Sequence, residues 1–302
     1  MSEGQRVLIL LKYTMVNIIF FGSSEYSLII LKKILEIKDF NLSAIVTKID
    51  KPIGRDQIIT PNPVAKFSKE HNLNLYQIEE FTNEFKSTIH DLNPTISICV
   101  AFGPPYFDQE MIDLFPFKII NIHPSPLPKY RGATPGPWQI INGETKTAIS
   151  FFQIDTLPDH GPIISQIPFD ISNTETTTSF YQKAFDLASN NLESVLKNYI
   201  SNPTNLTTQD HTQKTYFPKF TKESAQIDWS WDISKIERFI RALNPWPIAW
   251  TFVTNQQSQK IKMKILSASI INQQLTPNLV QIEGKKIINW SEISKYYTIT
   301  KN

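Results

Sequence analysis

The sequence predicts an α/β domain built on a mostly parallel sheet, followed by a small antiparallel β-barrel. Apolar runs at residues 16–21, 42–46, 95–101 and 117–122 are rich in Ile, Val and Phe and do not alternate with polar residues. Strands buried on both faces of a parallel sheet read this way. Helical patterns lie between them, and strand alternating with helix means α/β. After a polar, aperiodic stretch at 201–213 the text changes to short apolar runs separated by turn residues, the pattern of a small antiparallel barrel.

The elements follow in order. The run at 16–21 is the first strand, and Ser24 caps a helix reaching about Ile37. Shorter helices are expected at 63–71 and 107–114. Strands are expected at 147–154 and 163–171, and one long helix over 174–200. In the second part a helix at 233–243 precedes strands at 250–253, 260–266, 279–283 and 286–290. Met15 directly precedes the first strand, so residues 1–14 read as an N-terminal extension, 15–200 as the first domain, 201–213 as a linker and 214–302 as the second domain.

Composition excludes several classes. A single cysteine, Cys99, forms no internal disulfide and begins no zinc site, which takes about four Cys/His ligands. The apolar run at 7–11 is far short of the roughly 20 residues of a membrane span, and Glu3 stands where a secretory leader is basic. A reduced, cytoplasmic setting is expected, with a monomeric protein, no membrane and no metal. At residues 20–26 the turn Phe-Phe-Gly-Ser-Ser-Glu-Tyr has only Gly22, whereas a dinucleotide fingerprint needs three glycines to admit a pyrophosphate.

The net charge of +2 conceals an asymmetry. Residues 1–205 carry 17 Lys+Arg against 21 Asp+Glu, a net of −4; residues 206–302 carry 13 against 7, a net of +6. A basic C-terminal unit beside an acidic one suits a polyanion ligand, although a solvated basic face gives the same count.

Backbone composition singles out one window. Residues 104–168 hold 11 of the 20 prolines, and starting at Gly103 the window holds 5 of the 9 glycines. Within it, Asn121-Ile122-His123 closes a predicted strand and enters Pro124-Ser125-Pro126-Leu127-Pro128. Side chains two apart on a strand share a face, so a carboxamide and an imidazole project together from its carboxyl end, where open α/β sheets bind ligands. Alternate prolines hold the following chain extended and remove amide donors. A structural histidine and a site histidine stand about level on this reading. Asp159, in the turn Leu157-Pro158-Asp159-His160-Gly161-Pro162, reaches His123 if the flanking strands are neighbours, and there it would fix the tautomer and favour the protonated ring. Spacing alone does not separate that role from an ordinary turn Asp. His160 is a rival imidazole, expected to point the other way.

The segment Asn-Ile-His-Pro-Ser-Pro-Leu-Pro-Lys-Tyr-Arg-Gly-Ala-Thr-Pro at 121–135, with the Asp-x-Gly of 159–161, resembles the 10-formyltetrahydrofolate-dependent formyltransferase family. Further matches lie at 16–27, 46–55, 60–66, 216–230 and 240–251, so the resemblance covers the chain from about Met15 to the end. The Ile-Asp-Trp and Asn-Pro-Trp-Pro segments at 227–229 and 244–247 point to the tRNA-directed branch. The resemblance implies a Rossmann-like N-terminal domain holding formyl-folate and a C-terminal OB-like barrel holding tRNA. It implies formyl transfer from 10-formyltetrahydrofolate to the α-amine of methionyl-initiator-tRNA. Asn121, His123 and Asp159 take its catalytic positions, and Ser125, Pro126, Leu127 and Pro128 its folate-contacting segment. Arg55 falls in its acceptor-end loop, and Arg238, Arg241, Lys260, Lys262 and Lys264 are expected among the phosphate contacts.

Three departures bear on this. Asp56-Gln57 replaces a glycine and lysines after Arg55, Pro126 replaces a leucine, and the C-terminal unit is short. They touch tRNA affinity more than formyl transfer. The same core also serves sugar-nucleotide N-formyltransferases and formyl-folate hydrolases, and a catalytically weak RNA- or folate-binding module is the alternative of another class.

Overall fold

The computed structural model describes residues 15–53 and 57–301; the expected extension at 1–14 and Arg55 lie outside them. The chain forms two compact units that are not consecutive in sequence. The first comprises the described residues up to Arg131, then Ala148–Pro168 and Lys183–Thr215; the second comprises Gly132–Thr147, Phe169–Gln182 and the described residues from Tyr216.

The first unit begins with β1 (Val16–Gly22), α1 (Glu25–Glu36) and β2 (Phe40–Lys48). Ser24 starts α1 with a capping box: its hydroxyl accepts from Ser27 N while the Ser27 hydroxyl accepts from Ser24 N. A short hairpin, β3 (Lys51–Ile53) and β4 (Ile58–Thr60), leads to α2 (Pro63–Glu70), capped by Asn62. Next come β5 (Leu75–Ile78), α3 (Asn83–Asp91), β6 (Ile96–Val100), α4 (Gln109–Asp113) and β7 (Ile119–His123). The hairpin, β5 and α3 have no counterpart in the sequence reading, because each is short or shows weak apolar periodicity.

The main sheet has seven strands in the order β5-β2-β1-β6-β7-β8-β9, where β8 is Lys146–Gln153 and β9 is Ile163–Asp170. The five strands from β5 to β7 are parallel, and β8 is antiparallel to β7. The order reverses between β1 and β6, so the crevice beyond the carboxyl ends of these strands is the switch point of an open α/β sheet. Every residue of β6 and six of seven in β1 are buried, as the unbroken apolar runs require. Phe21 is fully buried and meets the rings of Phe81, Phe102, Phe107 and Phe115 edge-on at centroid distances of 6.1, 5.4, 5.1 and 6.5 Å. Edge-to-face pairs add to the area effect of burial.

The stretch 201–213, expected to be a linker, is tied into this unit. Thr207 and Ile163 exchange backbone hydrogen bonds of 2.8 Å in both directions, and the Gln209 side chain is buried. Its polar composition gave no apolar pattern to read, because backbone and amide hydrogen bonds hold it in place. The long helix α6 (Thr177–Ser201) precedes it.

The second unit contains α5 (Pro135–Asn142), α7 (Ile233–Ala242), α8 (Trp290–Ile293) and an antiparallel five-stranded sheet. The sheet order is β13 (Ile287–Asn289), β12 (Gln274–Ile282), β11 (Lys260–Ile271), β10 (Trp250–Asn255) and β14 (Tyr297–Thr300). Ile236, Phe239 and Ile240 of α7 pack on Val253, Met263, Ile265 and Val280 of the sheet and on Ile140, Ile141 and Phe180. Gly136 allows close approach in this core, since a Cβ there would meet the Phe180 and Tyr181 rings. No helix among the described residues is long and apolar enough to cross a membrane.

Removing the Phe21 ring leaves a cavity ringed by four aromatics, so Phe21→Ala should lose about 3–5 kcal/mol of stability. Urea unfolding checks this; a loss below about 1 kcal/mol would mean that the cluster collapses onto the gap.

Candidate functional site

Asn121 and His123 stand on one face of β7 at its carboxyl end, beside the switch-point crevice. In register, Asn121 lies next to Cys99 of β6 and Phe152 of β8, and His123 lies opposite Ser150. The Asn121 carboxamide is half-buried and makes no hydrogen bond among the described residues. It is a donor and acceptor pair left open at the carboxyl end of β7.

The His123 ring is nearly enclosed, with its side chain 7% exposed. Its Nε2 lies 2.9 Å from the Tyr130 carbonyl oxygen. A carbonyl only accepts, so the contact places a proton on Nε2 and leaves Nδ1 as the reactive nitrogen. Nδ1 faces Asp159 Oδ1 at 3.7 Å. That distance is an ion-pair separation rather than a hydrogen bond. The expected neighbourhood of His123 and Asp159 is therefore present, but the tautomer is set by Tyr130 and not by Asp159. The carboxylate's part is to stabilise positive charge on the ring once Nδ1 takes up a proton.

The turn that carries Asp159 is tightly determined. Asp159 has φ +51°, a left-handed conformation that Asp tolerates better than most residues. Gln153 N donates to Pro162 O at 2.9 Å, closing the turn on β8. Gly161 sits so close to Gln153 that an added Cβ would run into its carbonyl oxygen. The glycine of the Asp-x-Gly motif is a steric requirement of the turn that delivers the carboxylate. His160, the rival imidazole, binds Asp155 Oδ2 through Nδ1 at 2.6 Å and stacks on His211 with centroids 4.0 Å apart.

Beyond His123 the proline track is fixed from within. The Ser125 hydroxyl donates to Lys129 O at 2.7 Å, and Ser125 O accepts from the Ser150 hydroxyl at 2.6 Å. Gln166 Nε2 donates to Leu127 O at 2.9 Å, and the Leu127 side chain packs with Phe152 and Ile163. The Leu127-Pro128 peptide is cis. Of the four expected folate-contacting residues, Ser125 and Leu127 are buried supports, and Pro126 and Pro128 keep exposed surface.

Two further groups, Cys99 beside Asn121 and Lys48 at the end of β2, had no motif to announce them. Burial pushes the Cys99 thiol up to about 12, so it is a neutral packing group. Lys48 ends β2; its ammonium donates to Pro104 O and lies 3.8 Å from the centroid of the Phe102 ring. Burial brings it down to about 8.

In the second unit, Lys260, Lys262 and Lys264 alternate along β11 with Met263 and Ile265, which enter the core. Lys260 lies over Phe252 at 4.3 Å and Lys262 over Trp250 at 3.7 Å. Arg238 and Arg241 are more committed: Arg238 Nε donates to Ile141 O at 3.0 Å, while Arg241 pairs with Glu237 at 3.0 Å and donates to Glu175 O. Helix spacing signals the Arg241–Glu237 pair at i,i+4 but not the Ile141 and Glu175 carbonyls, which come from other segments.

The sequence model of the family described as formyl transferase matches residues 14–196, and that of the formyl transferase C-terminal domain matches 219–288. The chain belongs to the formyltransferase family. Among curated proteins, the methionyl-tRNA formyltransferase of Acetivibrio thermocellus is 33% identical over 273 residues, covering 89% of this chain and 86% of its own. The methionyl-tRNA formyltransferase of Chloroflexus aggregans is 33% identical over 87% of this chain and 84% of its own. Among solved structures, methionyl-tRNA formyltransferase from Clostridium thermocellum aligns at a TM-score of 0.58 and 20% identity, covering 89% of this chain and 99% of that one. The sugar 3N-formyltransferase WlaRD, solved with dTDP and 5-N-formyl-THF, aligns at 0.64 and 22% identity over 91% and 97%. At these identities the solved structures carry the fold: a mostly parallel Rossmann-like sheet followed by an antiparallel C-terminal unit, common to formyltransferases of different acceptors.

Because Gly161 admits no Cβ, Gly161→Ala in this formyltransferase should displace the Asp159 turn and lower kcat about 10²-fold. Steady-state kinetics on the folded variant decide it; unchanged kcat would mean that the turn absorbs the methyl group.

Proposed function

We propose that this enzyme transfers the formyl group of 10-formyltetrahydrofolate to the α-amine of methionyl-initiator-tRNA, acting as a cytoplasmic monomer. The pairing of His123 Nδ1 with Asp159, beside the unengaged Asn121 carboxamide, carries the chemical reading. Identity of 33% to two methionyl-tRNA formyltransferases across most of the chain supports the acceptor. Residues 15–200 are assigned to catalysis and 214–302 to tRNA binding, with 201–213 held on the first unit.

The reaction is acyl transfer without a covalent enzyme intermediate. The neutral amine nitrogen bonds to the formyl carbon, the carbonyl oxygen gains negative charge, and the bond from that carbon to N10 then breaks. The amine gives up one proton and N10 gains one, so the sum is balanced. Asn121 donates an N–H to the developing oxyanion, and Nδ1 of His123 relays the proton. Asp159, a few ångströms from Nδ1, stabilises the imidazolium formed on the way. Pro126 and Pro128 offer the folate a rigid surface that Ser125 and Leu127 hold in place. A low-entropy surface of this kind favours a near-attack geometry.

The tRNA backbone is assigned to the lysine face of β11, Lys260, Lys262 and Lys264, with Arg55 at the acceptor end. Arg238 and Arg241 contribute mainly by holding α5 and the 175 region in place. Phosphate contacts make such binding salt-dependent.

His123→Ala and Asp159→Asn should each lower kcat about 10²- to 10³-fold while KM for either substrate changes little. Near-wild-type turnover in both variants would sink the assignment. Formyl acceptance from formyl-folate, compared among methionyl-initiator-tRNA, an aminosugar nucleotide and water, tests the substrate; preference for the aminosugar would overturn it. Replacing Lys260 and Lys262 by Ala should reduce the slope of log K for tRNA against log salt by about 2. An unchanged slope would remove β11 from the tRNA surface.

A further inference from the structure

The catalytic reading leaves unexplained how Asp159 is kept at His123. The carboxylate belongs to a turn in a left-handed conformation and faces His123 Nδ1 at 3.7 Å. The segment 207–215 is hydrogen-bonded to both halves of this pair.

Gln209 is 3% exposed and lies behind the turn. Its Nε2 donates to Asp159 O at 3.0 Å and to Gly161 O at 2.7 Å, so one amide grips the carbonyls on either side of His160. Its Oε1 accepts from Arg131 Nη2 at 2.6 Å. That assigns the amide orientation, since the carbonyls need the NH₂ and the guanidinium needs the oxygen. The same Nη2 lies 2.8 Å from His211 Nδ1, which must present a lone pair there. Burial is the main cause that lowers the His211 pKa, in keeping with a neutral acceptor ring.

Arg131 also ties this amide to the other half of the dyad. It follows Tyr130, whose carbonyl holds His123 Nε2. Thr215 fixes both backbones: Tyr130 N donates to the Thr215 hydroxyl at 2.8 Å and Arg131 N to Thr215 O at 3.0 Å. His123 is thus positioned through Tyr130 and Thr215, and Asp159 through Gln209, by one short stretch of chain. Thr207 anchors that stretch to Ile163 at the start of β9.

We propose that Gln209, oriented by Arg131, is a positioning residue for formyl transfer, setting the Asp159 carboxylate against His123 Nδ1. This rests on His123 and Asp159 being the catalytic pair. Gln209 touches no substrate. It acts through the turn, and its loss lets the carboxylate drift from the ring by the ångström-scale displacement to which transfer reactions are sensitive.

The test is Gln209→Leu, which keeps the side chain's bulk and deletes both donors and the acceptor. Turnover should fall about 10- to 100-fold, with KM for formyl-folate and for methionyl-tRNA within about threefold of the parent. A residue that merely supports the fold would act equally in any background, whereas a positioning residue has nothing left to position once the carboxylate is gone. In an Asp159→Asn background, Gln209→Leu should therefore lower kcat by less than about twofold further. Equal losses in the two backgrounds, or full turnover in the single variant, overturn the inference. If Gln209→Leu fails to fold, Arg131→Lys, which keeps the cation but loses the planar fork, is measured in the same two backgrounds and read the same way. Wild-type turnover in Asp159→Asn itself would instead refute the catalytic pair, which separates the two failures.

Discussion

The hydrogen bond from His123 Nε2 to the Tyr130 carbonyl is the constraint on which the rest of the site depends. It consumes one ring nitrogen and so decides which one can handle a proton. With Nε2 occupied, only Nδ1 remains, and the fold brings Asp159 to that side. An imidazole with both nitrogens open would be free to turn, and a carboxylate beside it would have no defined partner. The backbone carbonyl comes from just beyond the proline track, where the chain is held by the Ser125 and Leu127 hydrogen bonds.

The sheet makes this arrangement possible by its change of direction. Parallel strands β1, β6 and β7 place their carboxyl ends along one edge, and Asn121 and His123 stand where β7 reaches it. Antiparallel β8 then lies beside β7 with Ser150 opposite His123, where its hydroxyl holds the Ser125 carbonyl. The connection from β8 to β9 folds back on Gln153 through Pro162, and Gly161 is the residue small enough to let it do so. The spacing of Asn121, His123 and Asp159 is in this way a consequence of strand pairing plus one glycine.

The second unit solves a different problem with a simpler device. On β11 one face enters the core and the other carries lysines at every second residue. Lys260 and Lys262 cover the rings of Phe252 and Trp250, so aromatic surface stays shielded while cationic charge remains at the surface. Cations arrayed on such a face neutralise phosphates and release the counterions condensed on a polyanion, without requiring any shape match.

The family, the α/β class and the antiparallel second unit were legible in the sequence, because unbroken apolar runs, short apolar runs between turns and the Asn-x-His and Asp-x-Gly motifs are local patterns. Asn121, His123 and Asp159 could be nominated for the same reason. What only the tertiary structure decided was who holds them. The Tyr130 carbonyl is a backbone atom and carries no residue signature. Gln209 lies in a stretch whose polar composition read as a linker, and its partners at 131, 159 and 161 are distant in sequence. Ser125 and Leu127 are residues of the expected folate segment, yet their buried hydrogen bonds make them its supports. Residue type and short spacing specify which chemistry is available, but orientation depends on hydrogen bonds between segments far apart in the chain, and these exist only once the sheet has brought the segments together.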